Sequence, residues 1–538
     1  MIRAKVFFAA AAGLLLLAGC AGGKKEAYLA ALGPEVQAYT KAGEPSGTLA
    51  RGLAVRPGKE RKGFTSVGDG LYVKSADIVG KLSEAVREKE IYALGPVSVV
   101  KDTSRCEVGG LVLRSERVQV LGFDRINADG TVNRYRIPGG FVFGKYFALK
   151  PAPEYGTPEF RAVHAAVRNP FKGGRAEGCD FRPYPKAVNF AARRPGQPSA
   201  MPDTCRGIYL NAGAVGRIDD YIAMAKGTRL NTFVIDIKDD TSPGLRTEAM
   251  RRHSPTTFSK ARAEGAALYE YAVRRIHEEG MWAVGRISCF KDSWLVRDNP
   301  SVAITEISTG QPLYHNRANW PSAFNRRVWQ YNVELARECV RSFGFDEINF
   351  DYVRFPDRMN SIDHLIDFHN AYGESKCQAI QRFVAYACDE LHEAGAYVSV
   401  DVFGEAANTG YVTAYGQYWP ALSNIADVMC GMPYPDHFPA GYKGIEKPWN
   451  NPYETLCAWG ADVRSRQEVT PQPAQTRTWI QAYHVMKHVD KEGIDYNAEN
   501  MLREVAGLND AGIGGGGFVA WLASSSLKGY TSKMDAYR

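Results

Sequence analysis

FDEINFDYVRFPD, residues 345–357, is the stretch from which the rest of the chain can be read. From Ile348 to Phe355 large apolar residues alternate with polar ones until Pro356 stops the run, the period-two pattern of a strand ending in a turn. Asn349, Asp351 and Val353 share one face, and Phe350, Tyr352 and Arg354 the other. A carboxylate near the end of such a strand is costly to bury unless it is paired or used, so Asp351 is the first candidate for chemistry.

Working outward, the same texture repeats from Pro202 to the end of the chain. Strand-like runs at 207–213, 232–238, 282–290, 348–355, 397–403, 426–433, 478–483 and 517–523 alternate with helix-like segments, and no helix is expected after the eighth. Strict alternation implies a parallel sheet, and eight units favour a closed (β/α)₈ barrel of the TIM type over an open doubly wound sheet. No glycine-rich phosphate loop follows the first strand, which counts against the open alternative.

In such a barrel one face of every strand points inward, and active sites lie at the C-terminal ends. The inward parity predicts that Asp236 and Lys238, Arg286 and Ser288, Asn349 and Asp351, Ser399 and Asp401, and Gln481 and Tyr483 converge from five strands. The opposite faces (Phe233, Ile235, Ile237; Phe350; Val398, Val400, Val402) suit burial under helices. A buried charge network tying the barrel ends together is the structural explanation to weigh, with Lys238 and Arg286 neutralising the aspartates. Two carboxylates flanking one site are also the minimum for glycoside hydrolysis. Asp351 and Asp401 end neighbouring strands, and Glu405, in the loop after the fifth, is the competing acid. Aromatic rings carry the flat faces of sugars. Tyr434, with Asp436 and His437 in MPYPDHF, and Trp521 near the eighth strand's end are expected in the cleft, while tryptophans within strands or helices are expected in the core.

The first twenty residues, MIRAKVFFAAAAGLLLLAGC, place Arg3 and Lys5 before an apolar run from Val6 to Leu17 and small residues up to Cys20. This is a secretory signal, too short for a membrane span. The ending LAGC resembles the lipobox of bacterial lipoproteins, which implies cleavage before Cys20, lipidation of its thiol and a location in the cell envelope, anchored to a membrane and facing periplasm or exterior. The chain is compositionally globular, 45% hydrophobic and 23% charged. Its net charge of +7 comes with no basic run or aromatic-interleaved basic stripe, so no nucleic-acid partner is indicated.

Residues 21–90 carry scattered short apolar runs and no readable fold. Between 91 and 150 the runs VSVV, GLVLRS, VQVLGF, NRYRI and FVFGKYFAL, with a turn at Asn127-Ala128-Asp129-Gly130, predict a small all-β barrel. Its close, YRIPGGFVFGKYFAL, resembles bacterial Src-homology-3-like domains, which implies peptidoglycan or another envelope polymer as a partner. Residues 151–203, rich in Pro, Gly, Arg and Asn, read as a linker that wraps on its neighbour, and 204–538 as the barrel domain. Cysteines without CxxC spacing indicate neither structural zinc nor a dense disulfide framework. Cys106, Cys179 and Cys205 are the expected disulfide partners, and Cys388 and Cys430 the expected buried thiols.

From Arg206 to about Tyr530 the motifs RGIYL, VIDIKDD, GRISCFKD, GFDEINFDYVRFPD, SVDVFG and MPYPDHF follow one another in an order that resembles a bacterial glycosyl hydrolase family whose barrel domain was formerly of unknown function. The resemblance implies a (β/α)₈ barrel with Asp351 and Asp401 in its acidic motifs. Two departures stand out: AWLASSSLKGY replaces the family's tryptophan-asparagine-proline type of ending, and Glu405 lies where the family holds no acid. The combined reading is a membrane-anchored glycoside hydrolase acting on an envelope or extracellular polysaccharide, needing no cofactor or metal. Asp351 is expected as nucleophile or stabilising carboxylate, and Asp401, or else Glu405, as acid. Asp236, Lys238, Asp239, Arg286, Asn349, Arg354, Tyr434, His437, Gln481 and Trp521 are expected to bind substrate. The alternatives are a carbohydrate-binding barrel without catalysis, and a metal-dependent hydrolase using Asp236, Asp239, Asp351 and Asp401 as oxygen ligands.

Overall fold

A computed structural model describes residues 26–102, 107–165, 178–359, 361–408 and 412–538. The signal segment with Cys20, and Cys106, lie outside the described residues. The chain divides into two compact units, one formed by residues up to 91 with 118–138 and 143–145, the other by 92–117, 139–142 and 146–538.

The first unit is antiparallel β-structure from its first described residues onward. Short strands at Glu35–Tyr39, Pro45–Ala50, Phe64–Gly68 and Leu71–Lys74 pair in sequence-local hairpins. Val36, Val55 and Val73 fill a small core with Ala27 and Leu29. The stretch that reads poorly in sequence does so because its strands are two to six residues long and its turns rest on glycines with positive φ, at 33, 43, 52, 63 and 70. A buried Arg51–Glu88 ion pair adds a polar centre, with the Tyr135 hydroxyl 3.3 Å from the same Glu88 oxygen.

The second unit holds the barrel. Its strands are β1 (Cys205–Leu210), β2 (Thr232–Lys238), β3 (Trp282–Ser288), β4 (Glu347–Asp351), β5 (Tyr397–Phe403), β6 (Val428–Met432), β7 in two pieces (Gln475–Thr476 and Thr478–Gln481) and β8 (Gly517–Trp521). Every neighbouring pair is parallel. The first piece of β7 bonds to β6 and the second to β8, so the eighth strand meets the first around a closed ring. Helices follow each strand: α1 (Ile218–Ala225), α2 (Gly265–Glu278), α3 (Arg326–Phe343), α4 (Lys376–Ala394), α5 (Trp419–Ser423), α6 (Pro452–Gln467), α7 (Ala498–Asp510) and α8 (Leu527–Thr531). The last of these is a single turn after β8, where the sequence shows no helical period.

The outward residues Phe233, Ile235, Ile237, Phe350, Val398, Val400 and Val402 join one large apolar cluster with the helices. The N-terminal end of the barrel is closed by polar anchors. Asp346, just before β4, is fully buried and takes Arg193 at 2.9 Å, His277 at 2.9 Å and the Ala283 N–H at 2.9 Å. Arg193 belongs to the segment preceding β1, as does Gln197, whose amide donates to the Gly344 carbonyl at 2.7 Å. Beside this, Glu347 accepts from Arg477 at 2.7 Å and from the Trp282 indole at 3.0 Å. Arg477 is the residue that splits β7.

The expected disulfide partners need correction. Cys205 is a buried thiol inside β1, where its neighbours are barrel strands, and Cys179 is also a thiol, packed in a small apolar cluster with Cys377.

Candidate active site

At the C-terminal ends of β2 to β5 the inward parity brings charged groups together. Arg286 of β3 is the hub. Its Nε and Nη2 donate to one oxygen of Asp351, at 3.2 and 2.5 Å, and its Nη1 donates to Asp236 at 2.5 Å. Asp239, in the loop after β2, lies 3.7 Å from the same guanidinium. The other Asp351 oxygen accepts the backbone N–H of Tyr352 at 2.5 Å. β4 ends at Asp351, and the next residue, Tyr352, leaves the strand in the left-handed region with φ of 50°. A non-glycine residue in this region is uncommon and marks a position over-determined by its surroundings.

Asp236 is buried, and burial raises its pKa to about 6 in spite of the guanidinium, with the charge of Asp239 adding to the rise. The Tyr209 hydroxyl of β1 donates to its second oxygen, and Tyr209 stacks on Trp521, ring centroids 4.2 Å apart.

Asp401 stands on β5 at the level of Asp351 on β4: Asn349 pairs with Ser399 and Phe350 with Val400, which makes Asp351 and Asp401 the next step of the ladder. Strands lie about 4.8 Å apart. Asp401 is 1% exposed against 8% for Asp351. One of its oxygens accepts from the Asn349 amide at 2.9 Å and from the Trp479 indole at 2.7 Å. Its other oxygen is buried with no hydrogen-bond partner among the described residues. Burial, and after it the charge of Asp351, push its pKa well above the carboxylate range, outweighing Arg286 and the two donors. Of the two neighbouring carboxyls, Asp351 is paired with Arg286, and Asp401 is the one pushed toward its protonated form.

Tyr434, from the loop after β6, packs with Tyr209, Trp479 and Trp521 over this floor, and its hydroxyl feels the charges of both Asp401 and Asp351. Trp521 is partly exposed, its ring 5.6 Å from the Arg286 guanidinium carbon.

Other expected residues are placed differently. Lys238 leaves the lumen. A bulge between Asp236 and Lys238 sets Lys238 opposite Ile287, an outward position, and its ammonium pairs with Asp292 at 2.7 Å over the ring of Tyr331 on α3. It braces a loop against the helix layer and faces neither Asp351 nor substrate. Arg354 turns away once Tyr352 has broken the strand. It stacks 4.2 Å over Phe403 and lies 3.3 Å from Asp357, part of the rim. Gln481 is fully buried and tied to the Tyr483 carbonyl at 3.2 Å and the Asp436 N–H at 3.4 Å, a strut between loops. Tyr483 donates to Asp436 at 2.9 Å, and His437 is left at the rim with a side chain 45% exposed. Glu405 is also at the rim, where its carboxylate accepts the Tyr415 hydroxyl at 2.9 Å.

Two residues escaped the sequence reading, Tyr209 and Trp479. Both are aromatic residues within strands, Trp479 expected in the core with the other strand tryptophans and Tyr209 given no role, and each spends its polar atom on a site carboxylate. Inward parity beside Asp236 and Asp401 is the signal that could have found them. As for a metal, the place among Asp236, Asp239 and Asp351 that a dication would take is filled by Arg286, and the described residues include no cluster of three metal-ligating side chains.

Residues 207–527 match the family described as "Putative glycosyl hydrolase domain". Among solved structures, the chain is similar to a hypothetical protein from Ruminiclostridium thermocellum at 30% identity, covering 36% of this chain and 97% of that one, TM-score 0.32. It is similar to the glycoside hydrolase domain of PgaB (BpsB) from Bordetella bronchiseptica at 13% identity, covering 62% and 99%, TM-score 0.44. It is also similar to alpha-L-fucosidase isoenzyme 2 from Paenibacillus thiaminolyticus at 14% identity, covering 62% and 49%, TM-score 0.39. No curated protein matches the sequence.

Proposed function

Since the chain belongs to this glycosyl hydrolase family through residues 207–527, we propose that its barrel hydrolyses a glycosidic bond of an envelope or extracellular polysaccharide by a two-carboxylate mechanism. The observation that carries this reading is the asymmetry of the adjacent pair: Asp351 is held by Arg286 and the Tyr352 N–H, while burial and the Asp351 charge keep a proton on Asp401. As the bond from C1 to the leaving oxygen breaks, the Asp351 carboxylate attacks C1 or stabilises the positive charge there, and the Asp401 proton passes to the leaving oxygen. Water then supplies the hydroxyl of the product, and its proton restores the acid. Trp521 and Tyr434 offer apolar faces for the sugar ring.

A second assignment of the acid has its own observation. Asp401 is 1% exposed in the substrate-free barrel, whereas Glu405 sits at the partly exposed rim four residues further on. In that version Glu405 protonates the leaving oxygen and Asp401 acts as a neutral neighbour of Asp351. The non-catalytic alternative, a barrel that only binds carbohydrate, leaves the raised pKa of Asp401 without a use.

The reading extends to location. The signal-like N-terminus ending in LAGC supports a lipid anchor on Cys20, and no helix of the described residues is long and apolar enough to cross a membrane. The β-rich N-terminal region would hold the enzyme near peptidoglycan or a related polymer. The test is release of reducing ends from a panel of envelope and storage polysaccharides by the full chain, with Asp351→Asn as control. Turnover lost with binding retained supports hydrolysis, while release of sugars by Asp351→Asn at the wild-type rate overturns it.

A further inference from the structure

The charge balance of the site says something about its substrate. The chain as a whole is basic, with 66 Lys and Arg against 59 Asp and Glu, yet the floor of the barrel mouth is not. One guanidinium, Arg286, serves Asp236, Asp351 and, at 3.7 Å, Asp239. The neighbouring cations are taken: Lys238 by Asp292 at 2.7 Å, Lys291 by Asp240 at 2.9 Å and Arg354 by Asp357 at 3.3 Å. Asp239 accepts no hydrogen bond among the described residues, and its side chain is 34% exposed, so its lone pairs are open to a ligand. Glu405 at the rim has the Tyr415 hydroxyl but no cation within 4 Å among the described residues.

A further observation points to a ligand with a donor to give. The Asn349 side-chain oxygen is buried on the inward face and has no hydrogen-bond partner among the described residues. Buried polar atoms of this kind are costly unless something completes them. The rings of Trp521 and Tyr434 pack over this part of the site, and aromatic faces attract cations.

We propose that the glycan accepted here is a cationic one, a polymer containing hexosamine units whose amino groups are free, and that the Asp239 carboxylate meets the ammonium. This rests on the reading of the barrel as a glycosidase and names its substrate class. A uronate, a sulfated sugar or a phosphate-bearing polymer would face the Asp239 and Asp351 carboxylates, with Arg286, Lys238, Lys291 and Arg354 already paired to aspartates. An N-acetylated unit carries no charge and gains nothing from Asp239, while an ammonium offers three donors to a site with acceptors to spare.

The experiment uses the full chain and glucosamine oligomers of β-1,4 and β-1,6 linkage, their N-acetylated counterparts and oligogalacturonate. Binding is followed by quenching of tryptophan fluorescence and turnover by reducing ends. The free-amine oligomers should bind about fivefold more tightly than the acetylated ones, the scale of one partly exposed ion pair. The gap should shrink with salt and vanish in Asp239→Asn, in which the free-amine and acetylated oligomers should bind equally. Equal or better binding of neutral or anionic oligomers, or a preference untouched by Asp239→Asn, overturns the proposal. The two readings fail separately: cationic preference in binding with no bond cleaved overturns hydrolysis, and cleavage of neutral or anionic glycans without that preference overturns the substrate class.

Discussion

Asp351 and Asp401 stand at the same level on neighbouring strands, and only Asp351 is paired with a cation. Arg286 grips Asp351 through two nitrogens, whereas Asp401 takes two N–H donors on one oxygen and none on the other. Burial, and after it the Asp351 charge, favours the protonated form of Asp401.

If this division assigns the roles, Asp351→Ala and Asp401→Ala each lower kcat by about 10²-fold or more, the scale of lost acid or nucleophilic assistance, with the fold retained by circular dichroism. An aryl glycoside with a good leaving group should restore activity to the acid variant alone. Restoration in Glu405→Ala, and not in Asp401→Ala, moves the acid to the rim.

Asp401 also leaves a mark on stability. Its folded pKa is raised above the unfolded value of about 3.9, so folding takes up a proton on this group. Its favourable contribution is fully present below pH 4 and is lost as pH rises through the folded pKa. Asp401→Asn keeps the acceptor for Asn349 and Trp479 and removes the titration. The variant and the wild type should therefore melt together near pH 4, and the variant several degrees higher at pH 8. Parallel Tm profiles across that range would contradict the protonated assignment.

Trp479→Phe keeps the ring and deletes the indole N–H on Asp401. That donor lowers the Asp401 pKa, so its loss should shift the alkaline limb of the kcat profile to higher pH. Trp282→Phe is the control, because its indole donates to Glu347 at the other end of the barrel and should lower stability without moving that limb.

For the anchor, Cys20→Ser should move the protein from the membrane fraction to the soluble one. No helix of the described residues is long and apolar enough to cross a membrane, so in this reading the lipid on Cys20 carries the attachment. Retention of the Cys20→Ser protein at the membrane through a high-salt wash would rule the anchor out.

The barrel was legible because each strand announces itself twice, by its apolar outward face and by the helical period that follows. Parity alone placed Asp236, Arg286, Asn349, Asp351 and Asp401 in one lumen. It failed at Lys238, where a single extra residue flips the side chain, and no local motif in IKDD marks such a bulge. Arg354 stood on the face opposite Asp351 even in the extended reading, and the left-handed turn at Tyr352, which stops the strand at Asp351, leaves it at the rim beside Asp357. Tyr209 and Trp479 were hidden because an aromatic residue in a strand looks the same whether its polar atom is idle or spent on a carboxylate. The strands before residue 91 are too short for any period to show.

The anchoring of Asp346 sets where the molecule can be cut. Two of the groups that close the barrel floor, Arg193 and Gln197, precede β1 in the chain and reach back to Asp346 and Gly344. A fragment trimmed to the first barrel strand would strip the guanidinium from a fully buried carboxylate, the kind of loss that costs about 3–5 kcal/mol. The autonomous piece therefore begins upstream of its own first strand, and a protease that nicked the segment between 193 and 204 would loosen the barrel from below without touching a strand or the mouth.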